Sequence, residues 1–80
     1  MTSNSTIGKS EVNIFPNPTN GKLNIEISKK SILTLYNIYG QNLSNFKIEE
    51  GNNIIDLNGL SSGLYLLKIE NTLYKIMKID

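Results

Sequence analysis

Residues 22–27 read Lys-Leu-Asn-Ile-Glu-Ile, an alternation of polar and apolar side chains that runs without an error. Successive side chains of a β-strand point to opposite faces of its sheet, so this stretch predicts a strand with one buried face. The buried face would carry Leu23, Ile25 and Ile27. The same kind of signal recurs on both sides of this segment.

Strand-like segments precede and follow residues 22–27. Residues 12–15 predict a short strand that ends at Pro16, because proline has no amide hydrogen to donate to a neighbouring strand. Residues 32–39 are apolar on both faces, which suits a strand covered on both sides or one whose far face meets a partner. Further strands are predicted at residues 42–48, 53–57, 64–69 and 73–79.

Turn-forming residues separate these segments. Residues 16–21 combine two prolines with an Asn-Gly pair and predict a compact turn. Other breaks fall at residues 50–52, 58–63 and 70–72, and the last of these is short enough for a tight hairpin. About seven short strands with a turn every ~8–12 residues predict an all-β sandwich with essentially no helix.

The expected core consists of the apolar residues on one side of each strand. For residues 32–39 and 64–69 the choice of side is open, because both faces are apolar and a slip of one residue would exchange them. The core predicted in this way contains Ile14, Leu23, Ile25, Ile27, Leu33, Leu35, Phe46, Ile48, Ile55, Leu57, Tyr65, Leu67, Ile69 and Ile76.

The composition argues against several classes of function. The 80 residues make one domain without cysteine or histidine, so disulfides, thiolate chemistry and the commonest general base and metal ligand are missing. Eight lysines, no arginine and seven acids give a net charge of +1, which provides no basic surface for nucleic acid. Serines are abundant but lack an activating histidine, and neither a phosphate-binding glycine loop nor a calcium loop is present. The sequence therefore predicts no enzyme, no cofactor and no metal site.

The first ten residues are small and polar. They contain no apolar segment of the kind found in signal peptides, and no stretch of the chain is long enough to span a bilayer. We interpret residues 1–10 as a flexible linker from a preceding cargo region and residues 11–80 as the folded domain.

Four segments, in this order and spacing, resemble one family of secretion signals. Residues 12–21 (VNIFPNPTNG) match the family's opening "YPNP…G" turn, with Phe15 in place of the usual tyrosine. Residues 35–41 (LYNIYGQ) are close to "IYNxxGQ", and residues 55–65 (IDLNGLSSGLY) are close to "IDLSGLSSGIY". Residues 74–78 (YKIMK) resemble the lysine-bearing last strand. The chain thus resembles, over residues 11–79, the type A C-terminal sorting domain of the type IX secretion system, also called the Por secretion system sorting domain.

The resemblance implies a fold and a function. Such domains look like small immunoglobulin-like sandwiches, and they direct a cargo on their N-terminal side through the outer-membrane translocon of a Gram-negative bacterium. The cargo travels by way of the periplasm and is expected at the cell surface or in the medium. A surface sortase usually removes the domain, with cargo release or attachment to anionic lipopolysaccharide. We expect the cleavage point in or before residues 1–10, because a protease needs an extended, unpaired segment.

The recognised surface is predicted to combine the turns at residues 16–21 and 59–65 with the last strand, residues 73–79. That strand is expected to be an edge with unpaired backbone groups, whose lysines prevent self-association and could meet an acidic receptor. The candidate recognition residues are Pro16, Asn17, Pro18, Gly21, Tyr36, Asn37, Gly40, Gln41, Gly59, Leu60, Ser61, Ser62, Gly63, Tyr65, Lys75 and Lys78.

A second interpretation is a carbohydrate-binding or adhesive sandwich attached to a secreted enzyme. Tyr36, Tyr39, Tyr65 and Tyr74 could form a sugar-binding platform. Tyrosine is also common in strands, where the ring packs while the hydroxyl stays in water, and this simpler interpretation accounts for the same residues.

Overall fold

The computed structural model describes residues 12–79, which form seven β-strands and no helix. The linker predicted at residues 1–10 lies outside the described residues. The strands are β1 (Val12–Phe15), β2 (Lys22–Ile27), β3 (Ser31–Tyr36), β4 (Asn42–Ile48), β5 (Gly51–Asp56), β6 (Gly63–Ile69) and β7 (Thr72–Lys78).

The strands form two sheets in which all neighbouring strands are antiparallel. The first sheet has the order β1-β2-β5 and the second sheet has the order β4-β3-β6-β7. This is an immunoglobulin-like arrangement in which β4 lies beside β3 instead of beside β5. The prediction of an all-β, immunoglobulin-like sandwich of seven short antiparallel strands is confirmed.

The core consists of alternate side chains from both sheets. All the buried apolar residues are among those predicted, and the structure decides the open cases by turning Leu33, Leu35 and Leu67 inward. Ile14 and Phe46 are only partly buried against the core, because they lie on the edge strands β1 and β4.

Two predicted strands differ from the observed ones by two or more residues at one end, and two others, β6 and β7, differ by no more than a single residue at either end. β3 ends at Tyr36 instead of residue 39, because the following residues fold into a closed loop described below. β5 begins at Gly51 instead of residue 53, because its pairing with β2 continues to the end of that strand. A tight connection makes this possible: the Asn53 side chain accepts a 2.9 Å hydrogen bond from the Glu49 amide and donates one of 2.8 Å to the Glu49 carbonyl.

The connections between strands gather at two opposite ends of the sandwich. One end holds the turn at residues 16–21, the β3–β4 loop at 37–41, the β5–β6 loop at 57–62 and the last residues of β7. The register fixes this placement, since Gly63 at the start of β6 pairs with Lys78 at the end of β7. The opposite end holds the β6–β7 hairpin turn, the β2–β3 and β4–β5 connections, which pass between the sheets, and the beginning of β1.

Candidate functional site: the motif end

All four family-like segments meet at one end of the sandwich. We call this surface the motif end and define it as residues 16–21, 37–41 and 57–63 together with the C-terminal part of β7, residues 75–79. The sequence places these segments up to 60 residues apart, and the fold brings them together.

The turn at residues 16–21 joins β1 to β2 within the first sheet and also contacts β7 at the edge of the second sheet. Both of its X-Pro bonds, Phe15–Pro16 and Asn17–Pro18, are cis. The backbone of Thr19 pairs with the backbone of Lys78 in an isolated parallel β-bridge. The Thr19 amide donates a 2.9 Å hydrogen bond to the Met77 carbonyl, and the Ile79 amide donates one of 2.8 Å to the Thr19 carbonyl.

Asn17 extends this contact along β7 with its side chain. Its amide nitrogen donates a 2.9 Å hydrogen bond to the Lys75 carbonyl, and its oxygen accepts one of 3.0 Å from the Met77 amide. The turn therefore occupies backbone groups on the outer side of β7 from Lys75 to Ile79. β7 is an edge strand as predicted, but the expectation that its edge is unpaired is wrong for this C-terminal half.

Thr19 was not among the candidate residues, although it is the buried centre of the turn. Its side chain is 1% exposed, and its hydroxyl donates a 2.5 Å hydrogen bond to the Lys22 carbonyl while accepting one of 3.1 Å from the Gly21 amide. A threonine hydroxyl that satisfies nearby backbone groups is a common turn device. The Thr-Asn-Gly sequence is the signal that could have indicated it.

Gly21 joins this turn to the β5–β6 loop. Its carbonyl accepts a 2.6 Å hydrogen bond from the Leu57 amide. Its φ is +153°, and a Cβ at this position would overlap the side-chain oxygen of Asn58. Glycine is therefore required both by the backbone angle and by the close approach of the neighbouring loop.

The β5–β6 loop is held by bonds within itself and by the core. The Leu60 amide donates a 3.1 Å hydrogen bond to the Leu57 carbonyl, and the Leu60 side chain packs partly buried against the core. The Tyr65 hydroxyl donates a 2.6 Å hydrogen bond to the Ser61 carbonyl, a tyrosine corner of the kind found in immunoglobulin-like domains. Ser62 is exposed beside it, so this loop offers a fixed polar surface.

The β3–β4 loop is closed by two of the candidate residues. The Asn37 side-chain oxygen accepts hydrogen bonds from the amides of Tyr39 and Gln41, at 2.9 and 3.0 Å. The Asn37 side-chain nitrogen donates a 2.6 Å hydrogen bond to the Gln41 side chain. The tip of the loop then presents Ile38 and Tyr39 to solvent, with exposures of 56% and 83%. The family-like residues here hold the loop, and the residues between them are displayed.

The two candidate lysines of β7 have different environments. Lys75 is exposed, whereas Lys78 is 5% exposed on the inward-facing side of the strand. The expectation that both ammonium groups face a receptor at this edge is therefore wrong for Lys78. Its burial beside the Thr19 bridge fits a structural role in joining the turn to the strand.

The remaining candidate residues lie in the turns and strand ends at or beside the motif end. Pro16 and Pro18 are exposed in the turn, Gly59 is exposed in the β5–β6 loop, and Tyr36 is half-buried at the end of β3. Gly63 pairs with Lys78 where β6 begins. The structure thus brings all sixteen candidates to, or directly beside, the motif end, and their role in recognition stays a prediction.

Residues 12–79 contain no cluster of three or more acidic side chains placed to hold a metal ion. Among residues 12–79 there is no helix with the length and apolar character needed to cross a membrane. The four tyrosines do not share a platform: Tyr65 is buried, Tyr74 packs against the core, and Tyr39 stands at a loop tip.

Comparison with known proteins gives one family. A family model described as "Secretion system C-terminal sorting domain" matches residues 13–79, which is nearly the whole chain and includes all four segments of the motif end. Comparison with curated proteins gives no match. Together with the seven-stranded sandwich, this match shows that the chain belongs to the family of C-terminal sorting domains of the type IX secretion system.

Proposed function

We propose that this domain is the part of a secreted protein that the outer-membrane translocon of the type IX system recognises, and that recognition occurs at the motif end. Membership of the family makes the domain a type IX sorting signal of a secreted or cell-surface bacterial protein. The observation that supports the choice of surface is the convergence of the four family-like segments. A surface assembled from separate segments exists only in the folded domain, so the signal is read as a shape.

The position of the chain's entry into the domain supports this choice. β1 begins at Val12, which pairs with Ile27 at the end of the sandwich opposite the motif end. A chain that comes from an N-terminal cargo therefore enters the sandwich at that opposite end, which leaves the motif end free of the connection to the cargo.

The later steps of the route follow from the same proposal. The precursor crosses the inner membrane, and the translocon carries it from the periplasm to the surface. There a sortase removes the domain by cleavage in or before residues 1–10, and the cargo is released or joined to anionic lipopolysaccharide. In this step the domain is a substrate, and it contributes no catalytic group.

The alternative of a sugar-binding module has weaker support. A sugar platform needs several aromatic rings on one exposed face, and the tyrosines of this domain are divided between the core, the outer face of the second sheet and a loop tip. Binding of the isolated domain to a glycan, without any effect of its deletion on export, would favour this alternative.

An export assay tests the proposal directly. A periplasm-directed fluorescent protein carrying residues 1–80 at its C-terminus is expressed in a bacterium with a working type IX system and in a translocon-deficient strain. We expect reporter at the surface or in the medium of the competent strain only. Reporter that stays in the periplasm of both strains, with the domain folded, would contradict the proposal.

A further inference from the structure

The outer face of the second sheet is a second apolar surface. The register places Tyr36 opposite Leu66 and Leu64 opposite Met77 on this face. The exposed fractions are 39% for Leu64 and 41% for Met77, and Leu73, farther along β7, is 59% exposed. Apolar side chains that are contiguous across three strands and open to solvent are typical of a surface that contacts another protein.

The charges on this face all have one sign. Lys47, Lys68 and Lys75 point outward from it, and the four strands β3, β4, β6 and β7 contain no aspartate or glutamate. The outer face of the first sheet differs, because it carries Glu26 and Asp56. The net charge of the whole chain is only +1. The positive charge is therefore gathered on the second sheet, and the acidic residues that offset it lie elsewhere in the chain.

Protection of sheet edges does not explain the lysine at the centre of this face. Lysines on the edge strands β4 and β7 would discourage unwanted strand pairing. Lys68, however, lies on β6, which is flanked by β3 and β7. It stands directly across from Leu73, so the positive charge is placed within the apolar surface and not only at its rim.

The face also has a concave part. Tyr36, Leu66, Lys68 and Leu73 line a shallow groove of about 390 Å³ together with Gly40 and Asn71. An apolar side chain of a partner could enter the groove, while a carboxylate beside it would meet the Lys68 ammonium. A flat apolar face without a groove and a lysine would not favour a partner that presents an apolar side chain and a carboxylate side by side.

We propose that the outer face of the second sheet docks on a protein surface that carries carboxylates around an apolar centre, on a component of the type IX machinery. A second copy of this chain is a poor occupant, because face-to-face pairing would set three lysines against three lysines. An acidic partner surface complements both the charge and the apolar groups. The inference rests on the proposed function and adds a second contact, which adjoins the motif end at Lys75 and Met77 and extends from there over Lys68, Leu73 and Lys47.

The test uses the export reporter with charge-reversed variants. Lys47→Glu/Lys68→Glu changes the outer face without touching the motif end, and we expect the exported fraction to fall by about tenfold, the effect of roughly 1.4 kcal/mol in docking free energy. The matched control is Lys29→Glu/Lys30→Glu, which has the same charge change in the β2–β3 connection. It gives up only the exposed Lys29–Glu70 ion pair, and its export should stay within about twofold of the unsubstituted domain.

A second pair of variants tests the apolar part and guards against misfolding. Leu73→Ser and Ile54→Ser both change an exposed apolar residue, 59% and 64% exposed, but on opposite faces of the sandwich. We expect Leu73→Ser alone to lower export, while urea unfolding shows both variants to be folded.

The outcomes separate the two proposals. Export of the unsubstituted domain with normal export of both outer-face variants would overturn the docking inference and leave the proposed function intact. Failure of the unsubstituted domain to be exported would remove the proposed function and this inference together. A domain dimer in analytical ultracentrifugation that Lys47→Glu/Lys68→Glu abolishes would assign the face to a second copy and also overturn the inference.

Discussion

Asn17 and Met77 are 60 residues apart in the sequence, and the side-chain oxygen of Asn17 accepts a 3.0 Å hydrogen bond from the Met77 amide. The same side chain donates to the Lys75 carbonyl at 2.9 Å. One amide group thus takes the place of a neighbouring strand along part of β7. The C-terminal half of the β7 edge is covered from within the domain, which limits its pairing with other chains.

Replacement of Asn17 should lower the stability of the domain. Asn17→Ala loses both hydrogen bonds, and each is worth about 0.5–1.5 kcal/mol, so we expect a loss of about 1–3 kcal/mol, in the lower part of this range because the site is exposed. Asn17→Asp keeps the acceptor but loses the donor, and it should fall between Ala and the unsubstituted domain. Urea unfolding gives the three values. Asn20→Ala, in the same turn, is the control and should change stability by less than about 0.5 kcal/mol; an equal effect of Asn17→Ala and Asn20→Ala would show that the Asn17 bonds contribute nothing.

Two glycines with nearly the same backbone angle should respond differently to alanine. Gly21 and Gly63 have φ values of +153° and +150°, but only a Cβ at Gly21 would meet another side chain, that of Asn58. Each substitution should cost on the order of 1–3 kcal/mol for the backbone, with an additional cost at Gly21. In an Asn58→Ala background the two costs should converge, as a double-mutant cycle in urea would reveal. Identical costs in both backgrounds would mean that the Asn58 side chain moves away freely.

Tyr39 should matter for export and not for folding. Its side chain is 83% exposed at the tip of the β3–β4 loop, so Tyr39→Ala should change the free energy of unfolding by less than about 0.5 kcal/mol. If the motif end is the recognised surface, the same change should reduce the exported fraction of the reporter. Ile54→Ala is the matched control, since Ile54 is 64% exposed on the outer face of the first sheet. Unreduced export of Tyr39→Ala would exclude this loop tip from the recognised surface.

The small core should make the domain sensitive to single cavities. Leu67 is 0% exposed between the sheets, and Leu67→Ala should cost about 2–5 kcal/mol. A domain of this size has a total stability of about 4–12 kcal/mol, so this variant should be partly unfolded at 37 °C. Leu73→Ala removes the same atoms from an exposed position and should have almost no effect on stability. Circular dichroism during thermal unfolding compares the two, and similar melting temperatures would contradict the assigned faces of β6 and β7.

The local alternation determined much of the fold. In β2 the polar and apolar residues alternate so regularly that the buried face, Leu23, Ile25 and Ile27, could be predicted from the sequence, and the structure confirms it. The positions of the turns followed from prolines, glycines and asparagines, because these residues favour particular backbone angles regardless of their surroundings. The family motifs also indicated a C-terminal sorting domain, which the family match over residues 13–79 confirms.

The local pattern alone left the faces of β3 and β6 open, although the residues of these strands that were predicted for the core are the ones found there. Both strands are apolar on both sides, and a local pattern then contains no information about which side meets the other sheet. Pairing with neighbours fixed the register and turned Leu35 and Leu67 inward, leaving Tyr36 and Leu66 on the outer face. The outer face of the second sheet is apolar because β3 and β6 carry apolar residues on both sides, and only one side of each strand can face the core.

The arrangement of the motif end was decided by tertiary structure alone. Nothing in the residues around Thr19 indicates that its backbone will pair with β7, and nothing around Lys78 indicates that a lysine there will be buried. Both facts depend on contacts between segments that are nearly the length of the domain apart. Local propensity acts over a few residues, whereas such contacts form only when the whole chain has packed. The sequence therefore determined which residues form the turns and strands, and the packing of the two sheets decided which of those residues meet.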